Sequence, residues 1–198
     1  MSFLCGFCGT KSTEVKVGGE VSEFGKEITL VISCEDDIRR DLFKSETCAL
    51  KIPNIDFEMD FGTLGGVYTT VEGLFEKVKT RLIYFLFYFF SSFNLWYFPY
   101  KIEDNLRNEN PFAGDSADSN FKKKMKEMWD YFAKVRSLEI KDCKIILRDL
   151  MDNSFIQNPY YPDPDPRVLS ETFTRSYEEN DILGLNDIKV EGYGEVKI

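Results

Sequence analysis

The sequence predicts a mainly β, α+β domain: a β-sandwich or barrel-like pair of sheets carrying a helical hairpin. Three observations lead there. Period-two apolar alternation fills the first third of the chain, two stretches of helical period follow, and strand-like alternation returns after them. Strands, then inserted helices, then strands again is the order of a fold whose helices are segregated from its sheets. One domain is expected at 198 residues, and 43% apolar against 30% charged side chains is enough to build a core.

Taken in order, Gly18, Gly19 and Gly25 punctuate a first hairpin, and Ile28, Leu30 and Ile32 alternate with Thr29 and Val31. Cys48, Leu50 and Ile52 repeat the pattern, and after Pro53-Asn54 so do Ile55, Phe57, Met59 and Phe61 against Asp56, Glu58 and Asp60. Such runs are half-buried antiparallel strands. Thr69 with Glu72 three residues on reads as a capping box that opens a helix through Val71, Leu74, Phe75 and Val78. A second helix follows Asp118-Ser119, with Phe121, Met125, Met128, Trp129, Phe132 and Val135 on its apolar side and Lys122, Lys123, Lys124 and Lys126 in solvent. Cys143 to Leu147 is a strand, residues 159–166 with four prolines are an extended loop, and residues 188–198 alternate weakly as a closing strand.

From Leu82 to Tyr100 there are 19 residues without a charge, and 11 of them are aromatic. The length suits a membrane span, but only Leu82, Ile83, Leu86 and Leu95 are aliphatic, and Ser91, Ser92, Asn94 and Pro99 interrupt the run. Phe, Tyr, Leu, Ile, Asn and Ser are also what AT-rich non-coding DNA encodes, so residues 81–102 read as an anomalous aromatic insertion. A retained intron and an insertion loop packed on the domain both remain open. The segment is expected to contribute nothing to the fold.

With 25 basic against 34 acidic residues, the net charge is -9 and the pI about 4.7. That field repels phosphate backbones and anionic lipid, so no nucleic acid and no membrane partner is expected, and a basic protein fits better. The absence of histidine removes Ser/His and Cys/His nucleophiles and any His-ligated metal. Five cysteines, an odd number without dense spacing, give no support to a disulfide framework, and the first residues do not read as a secretion signal. A reducing, cytoplasmic or nuclear setting is expected. Cys34, Cys48 and Cys143 read as small buried hydrophobes, and Cys5 and Cys8 as thiols available to a metal.

Several strings, in order and spread over nearly the whole chain apart from residues 81–102, resemble one family. They are Cys5-Gly6-Phe7-Cys8-Gly9, Glu14 to Gly19, Arg40 to Cys48, Gly62 to Gly66 with Thr69 to Leu74, Asn110-Pro111-Phe112 with Gly114-Asp115-Ser116, Asn153 to Asn158, and Leu183 to Asp187. Together they resemble the second, C-terminal module of the zinc-finger receptor-binding proteins, the ZPR family, shortened at its N-terminus. The resemblance implies a four-cysteine zinc ribbon followed by a double-stranded β-helix domain with a helical hairpin. It further implies a protein binder rather than an enzyme. The implied partner is translation elongation factor one-alpha, which such proteins help to fold, with a receptor kinase cytoplasmic domain as a further partner. Movement between cytoplasm and nucleus under growth signals is implied as well.

On that resemblance residues 1–12 are the remnant of a zinc ribbon, and residues 13–198 are the β-domain. Zinc in a closed structural site takes four ligands, and Cys5 and Cys8 supply two. Zinc is therefore expected only if the other Cys-x-x-Cys is supplied upstream; either the start lies too late or the ribbon has been lost. The segment Leu147 to Ser154 departs from the family's paired aspartates, proline and glycine, keeping Asp149 and Asn153-Ser154.

Partner contacts are assigned to polar residues in the family strings: Arg40, Asp41 and Lys44 in the strand-leading turn, and Arg175 and Glu178 in Thr174 to Asn180. Each has local ion pairing as its structural alternative. Gly62-x-x-Gly65-Gly66 has no following Gly-Lys-Ser/Thr and reads as a tight turn, not a phosphate loop. The competing functional reading is an enzyme that uses Asp149 and Asp152 as paired carboxylates, on a divalent ion.

Overall fold

The computed structural model describes residues 2–4, 6, 7, 9, 11–13, 21–91 and 116–187. The chain runs β1 (Ser2–Leu4), β2 (Lys11–Thr13), β3 (Gly25–Ile32), α1 (Glu35–Arg39), β4 (Asp41–Lys44), β5 (Cys48–Ile52), a 3-10 turn (Pro53–Ile55), β6 (Phe57–Met59) and β7 (Val67–Thr70). It continues through α2 (Val71–Ser91), α3 (Ser116–Arg136), β8 (Cys143–Asp149), β9 (Phe155–Ile156), β10 (Val168–Phe173) and α4 (Tyr177–Ile182). The strands form an antiparallel hairpin of β1 and β2, a five-stranded sheet in the order β10-β3-β8-β5-β6, and a three-stranded sheet in the order β7-β4-β9.

Alternation in sequence becomes the inner face of the large sheet. Ile28, Leu30 and Ile32 on β3, Cys48, Leu50 and Ile52 on β5, and Cys143, Ile145 and Leu147 on β8 are all 3% exposed or less. Leu42 from the small sheet joins the same core cluster, so the inner faces of the two sheets meet. Each fully buried aliphatic side chain contributes roughly 1.5–3 kcal/mol by leaving water. Gly25 is required by close approach: a Cβ there would come within 2.3 Å of the Phe173 ring on its paired strand position.

The helical hairpin closes the core. Val71, Leu74, Phe75 and Val78 of α2 are buried, with Met128, Phe132 and Val135 of α3. The Phe75 and Phe132 rings stack, 4.6 Å between centroids. Arg136 at the end of α3 reaches Glu72 and Glu76 at the start of α2 (3.3 and 3.6 Å), so the helices run antiparallel.

Four details differ from the sequence reading. The strand expected from Ile55 to Phe61 forms only at Phe57–Met59, because Pro53 opens a 3-10 turn that ends at Asp56 with φ 50°. The cap of α2 is Thr70, not Thr69: its hydroxyl accepts from Gly73 N (3.1 Å), since β7 carries the extended backbone through Thr70. The expectation that residues after Arg81 contribute nothing is also corrected, because α2 continues to Ser91 and Leu82 packs against the core. Cys48 and Cys143 are buried as expected, but Cys34 is half-buried at the head of α1. The closing strand expected over 188–198 and the rest of the aromatic segment, 92–102, lie outside the described residues. Among the described residues no helix is long and apolar enough to cross a membrane.

Candidate functional site

The expected metal residues, Cys5 and Cys8, lie outside the described residues, in the connection between β1 and β2. The two strands pair from Ser2↔Thr13 to Leu4↔Lys11, and Gly9 between them takes φ +70°, a left-handed turn that glycine adopts without strain. Among the described residues no three metal-ligating side chains converge. A closed structural zinc site takes four ligands, and the sequence of this connection offers two thiols toward it, Cys5 and Cys8.

Arg40 and Lys44, expected as partner contacts, are interior. The Arg40 guanidinium, 3% exposed as a residue, pairs with Asp37 (2.8 Å) and with Asp165, and its charge sits over the Tyr160 ring. Asp37 is the shared anion. Its Oδ2 accepts from the backbone amides of Ser33 and Cys34 (3.0 Å each), from the Cys34 thiol (3.3 Å), and from Arg167, which also touches Cys34. Burial alone would push the Asp37 carboxyl up; the two amides, the thiol and Arg40 outweigh it and hold it below the ordinary range.

Lys44 is fully buried and donates to the Ser45 carbonyl (3.2 Å). Desolvation lowers its pKa, with Cys48, Asp149 and Glu46 opposing. Asp149 accepts from five donors: Ser45 Oγ (2.7 Å), Thr47 Oγ1 (2.7 Å), Ser154 Oγ (2.6 Å) and the amides of Met151 and Asn153 (3.0 Å each). Burial raises its pKa, and those donors together bring it below the usual value. A carboxylate so saturated is a structural hub that pins β4, β5 and β8 to the turn before β9. Asp152, at φ 55°, pairs instead with Lys26 (3.0 Å). The two acids of the enzyme reading are thus committed to separate structural tasks.

Of Arg40, Asp41 and Lys44, Asp41 alone stays at the surface, half-buried beside an aromatic row. Its Oδ2 accepts from the Tyr68 hydroxyl (3.3 Å), and its charge raises the Tyr68 pKa. Arg175 is spent locally: Nε donates to Asn180 Oδ1 and Nη1 to the Leu150 carbonyl, both 2.8 Å, so it secures α4 to the end of β8. Glu178 is exposed in the first turn of α4, behind the reciprocal cap of Ser176 and Glu179.

Sequence reasoning missed Asp37, Asp165, Arg167, Tyr68 and Phe155. No periodic signal marks them: Asp41-Leu42-Phe43-Lys44 alternates in neither phase, and it is the register of β4 in the fold that puts Leu42 and Lys44 inward and Asp41 and Phe43 outward.

A family model described as the ZPR1 jelly-roll domain matches residues 36–185. The chain is 35% identical over 194 residues to the Mus musculus zinc finger protein ZPR1, and 37% identical over 196 residues to a Caenorhabditis elegans homolog of that name. It is 34% identical over 195 residues to a Schizosaccharomyces pombe protein named zinc finger chaperone zpr1. These alignments cover 98–99% of this chain and 37–38% of each relative, so the chain spans little more than a third of the length of the curated relatives it matches. A jelly roll is a double-stranded β-helix, the architecture built by the two sheets above, and with the matched span covering more than half of its length the chain belongs to the ZPR1 jelly-roll family.

Proposed function

We propose that this domain is a protein-binding module of a zinc-finger chaperone or adaptor, whose client is translation elongation factor one-alpha. The observation that carries this reading is the likeness over nearly the whole chain to a Schizosaccharomyces pombe relative named as a chaperone. Its chemistry is consistent with binding: Asp149 is saturated by structural donors, and a net charge of -9 suits a basic client. Zinc enters through Cys5 and Cys8 only when a second thiol pair completes the site. A receptor kinase cytoplasmic domain is a second candidate partner, and work in both cytoplasm and nucleus, under growth signals, follows from the same reading.

The test is capture of purified elongation factor one-alpha by the immobilised chain at about 0.1 M and about 1 M salt, with the release of folded factor from a refolding mixture as second readout. Capture at low salt that falls as the Debye length shrinks from about 10 Å to about 3 Å is the expected result. No capture at either salt, with no effect on refolding, would overturn it.

A further inference from the structure

The three-stranded sheet turns one face to the core, and on the other Tyr68 and Phe155 stand exposed. The register fixes what lies on that outer face. Phe43 pairs with Tyr68 on one side and Phe155 on the other, making an aromatic row across all three strands. Two residues along, Asp41 pairs with Thr70, and Gln157 joins it through two hydrogen bonds, Asp41 N to Gln157 Oε1 (3.2 Å) and Gln157 N to the Asp41 carbonyl (2.8 Å). Phe43 is 5% exposed yet lies outside the main core cluster; the Phe155 ring stands 6.1 Å from its own, and Tyr68 is its strand partner on the other side. Tyr68 and Phe155 themselves are 54% and 46% exposed, 6.2 Å between centroids. The Tyr68 hydroxyl reaches Asp41, which lays the phenol ring along the strand and joins the aromatic row to the carboxylate.

Two exposed π faces beside a carboxylate that meets no cation among the described residues are complementary to one kind of group. Such a group is a cation with an apolar stem, held electrostatically by the ring faces and by the acid at once. We propose that this face, Tyr68 and Phe155 with Asp41 over the buried Phe43, docks an arginine or lysine side chain presented by a basic polypeptide partner. The inference rests on the proposed reading of the domain as a binder of basic proteins and names where such a client would engage. Charge complementarity favours this occupant over the others. A second copy carries the same net charge of -9 and brings no added cation to Asp41 from this face, so charge opposes self-association here. Nucleic acid and anionic lipid are repelled both by Asp41 and by the net charge of -9.

The experiment follows backbone amide shifts of the isotope-labelled full chain on titration with a hexapeptide of alternating arginine and glycine, and with its glutamate counterpart. Expected are saturable shifts at residues 41–44, 67–70 and 155–157 with the arginine peptide alone. Asp41→Asn and Phe155→Thr, both checked for an unchanged spectrum elsewhere, should each weaken the peptide at least fivefold. Shifts absent, or spread over the acidic surface and unchanged by either variant, overturn the site. So do shifts on this face that grow with protein concentration before any peptide is added, which would make a second copy the occupant. Elongation factor one-alpha that binds wild type and Asp41→Asn equally would overturn the site and leave the proposed function standing. The converse, no binding of the factor to wild type with the peptide shifts intact, would overturn the proposed client and leave the site.

Discussion

Arg40 and Asp165 stand 125 positions apart in the chain and form an ion pair whose side chains are 2% and 4% exposed. With Asp37 on the other side of the guanidinium, the pair ties α1 to the proline-rich loop before β10. Removing Arg40 leaves Asp165 buried without its cation. Breaking one partner of a buried pair costs about 3–5 kcal/mol, far more than the pair's net contribution, because the abandoned charge keeps its desolvation cost. Arg40→Ala is therefore expected to lose that much in urea unfolding, whereas Asp41→Ala, one residue on and at the surface, should change by less than about 1 kcal/mol. Equal losses would place both residues in the same structural role.

Acid should unfold the domain through Asp149 and Asp37. Both carboxyls titrate below the ordinary 3.8 in the folded chain. A group with a depressed folded pKa binds more protons unfolded than folded in the window between the two values, so its stabilisation is complete above the unfolded value and is lost as pH falls through the folded one. Unfolding free energy measured from pH 7 downward should begin to fall near pH 5 and drop steeply below pH 4. Asp149→Asn should be less stable at pH 7 and show a shallower acid slope; a slope unchanged from wild type would mean that other carboxyls drive the acid transition.

Lys44 is expected to behave in the opposite way to Arg40. Its ammonium is fully buried with the Ser45 carbonyl as its acceptor, and no carboxylate among the described residues lies within ion-pair distance of it. Desolvation of an ammonium so poorly paired opposes folding, and Asp149 keeps its five donors without it. Lys44→Met, which keeps the stem, is expected to raise stability at pH 7 by roughly 1 kcal/mol, within the range seen when buried ions give way to apolar isosteres. Lys44→Ala should lose about 2 kcal/mol or more, through the cavity it leaves. A large loss in the methionine variant would show that the charge itself holds Asp149 in place.

Metal removal should leave the jelly roll folded. Among the described residues, the core cluster runs from Ile28 to Leu147 and includes no position of the β1–β2 hairpin. A chelator is expected to leave the cooperative thermal transition in place, with changes confined to probes on the hairpin. Collapse of that transition would mean that metal binding is coupled to folding of the whole chain, as it is in small zinc domains.

The sheets were legible because period two reports burial directly: Ile28, Leu30 and Ile32 alternate, and they are the core of β3. The hairpin helices were legible by the same logic at helical spacing. In β4 the signal fails. Asp41-Leu42-Phe43-Lys44 alternates in neither phase, and a shift of one residue exchanges the two faces, so local sequence did not decide that Lys44 points inward and Asp41 outward. Phe155 meets Phe43 across 112 positions, a pairing that only the fold creates. Arg40 looked like a surface group because its two acids, Asp37 and Asp165, come from separate segments. Buried ion pairs leave no periodic trace when their members lie in different elements.

Arg175 and Glu178 sit three residues apart and should separate the structural from the surface role. The Arg175 guanidinium bridges the Leu150 carbonyl, on a residue 1% exposed, and the Asn180 side chain within α4. A second clamp lies beside it: Arg148 pairs with Glu179 (2.6 Å) and stacks on Phe173 at 3.9 Å. Hydrogen bonds to a charged donor are worth about 1.5–3 kcal/mol, and losing this one also leaves the Leu150 carbonyl unsatisfied. Arg175→Ala is expected to cost that amount and to expose α4 to proteolysis before the global transition. Arg175→Lys should recover only part, because one ammonium cannot span both acceptors. Glu178→Ala, on an exposed turn already capped by Ser176 and Glu179, should change stability by less than about 0.5 kcal/mol. Limited proteolysis with urea unfolding of the three variants checks this. An Arg175→Ala chain as stable and as protected as wild type would return Arg175 to the surface as a partner contact, since its two hydrogen bonds would then be carrying nothing in the fold.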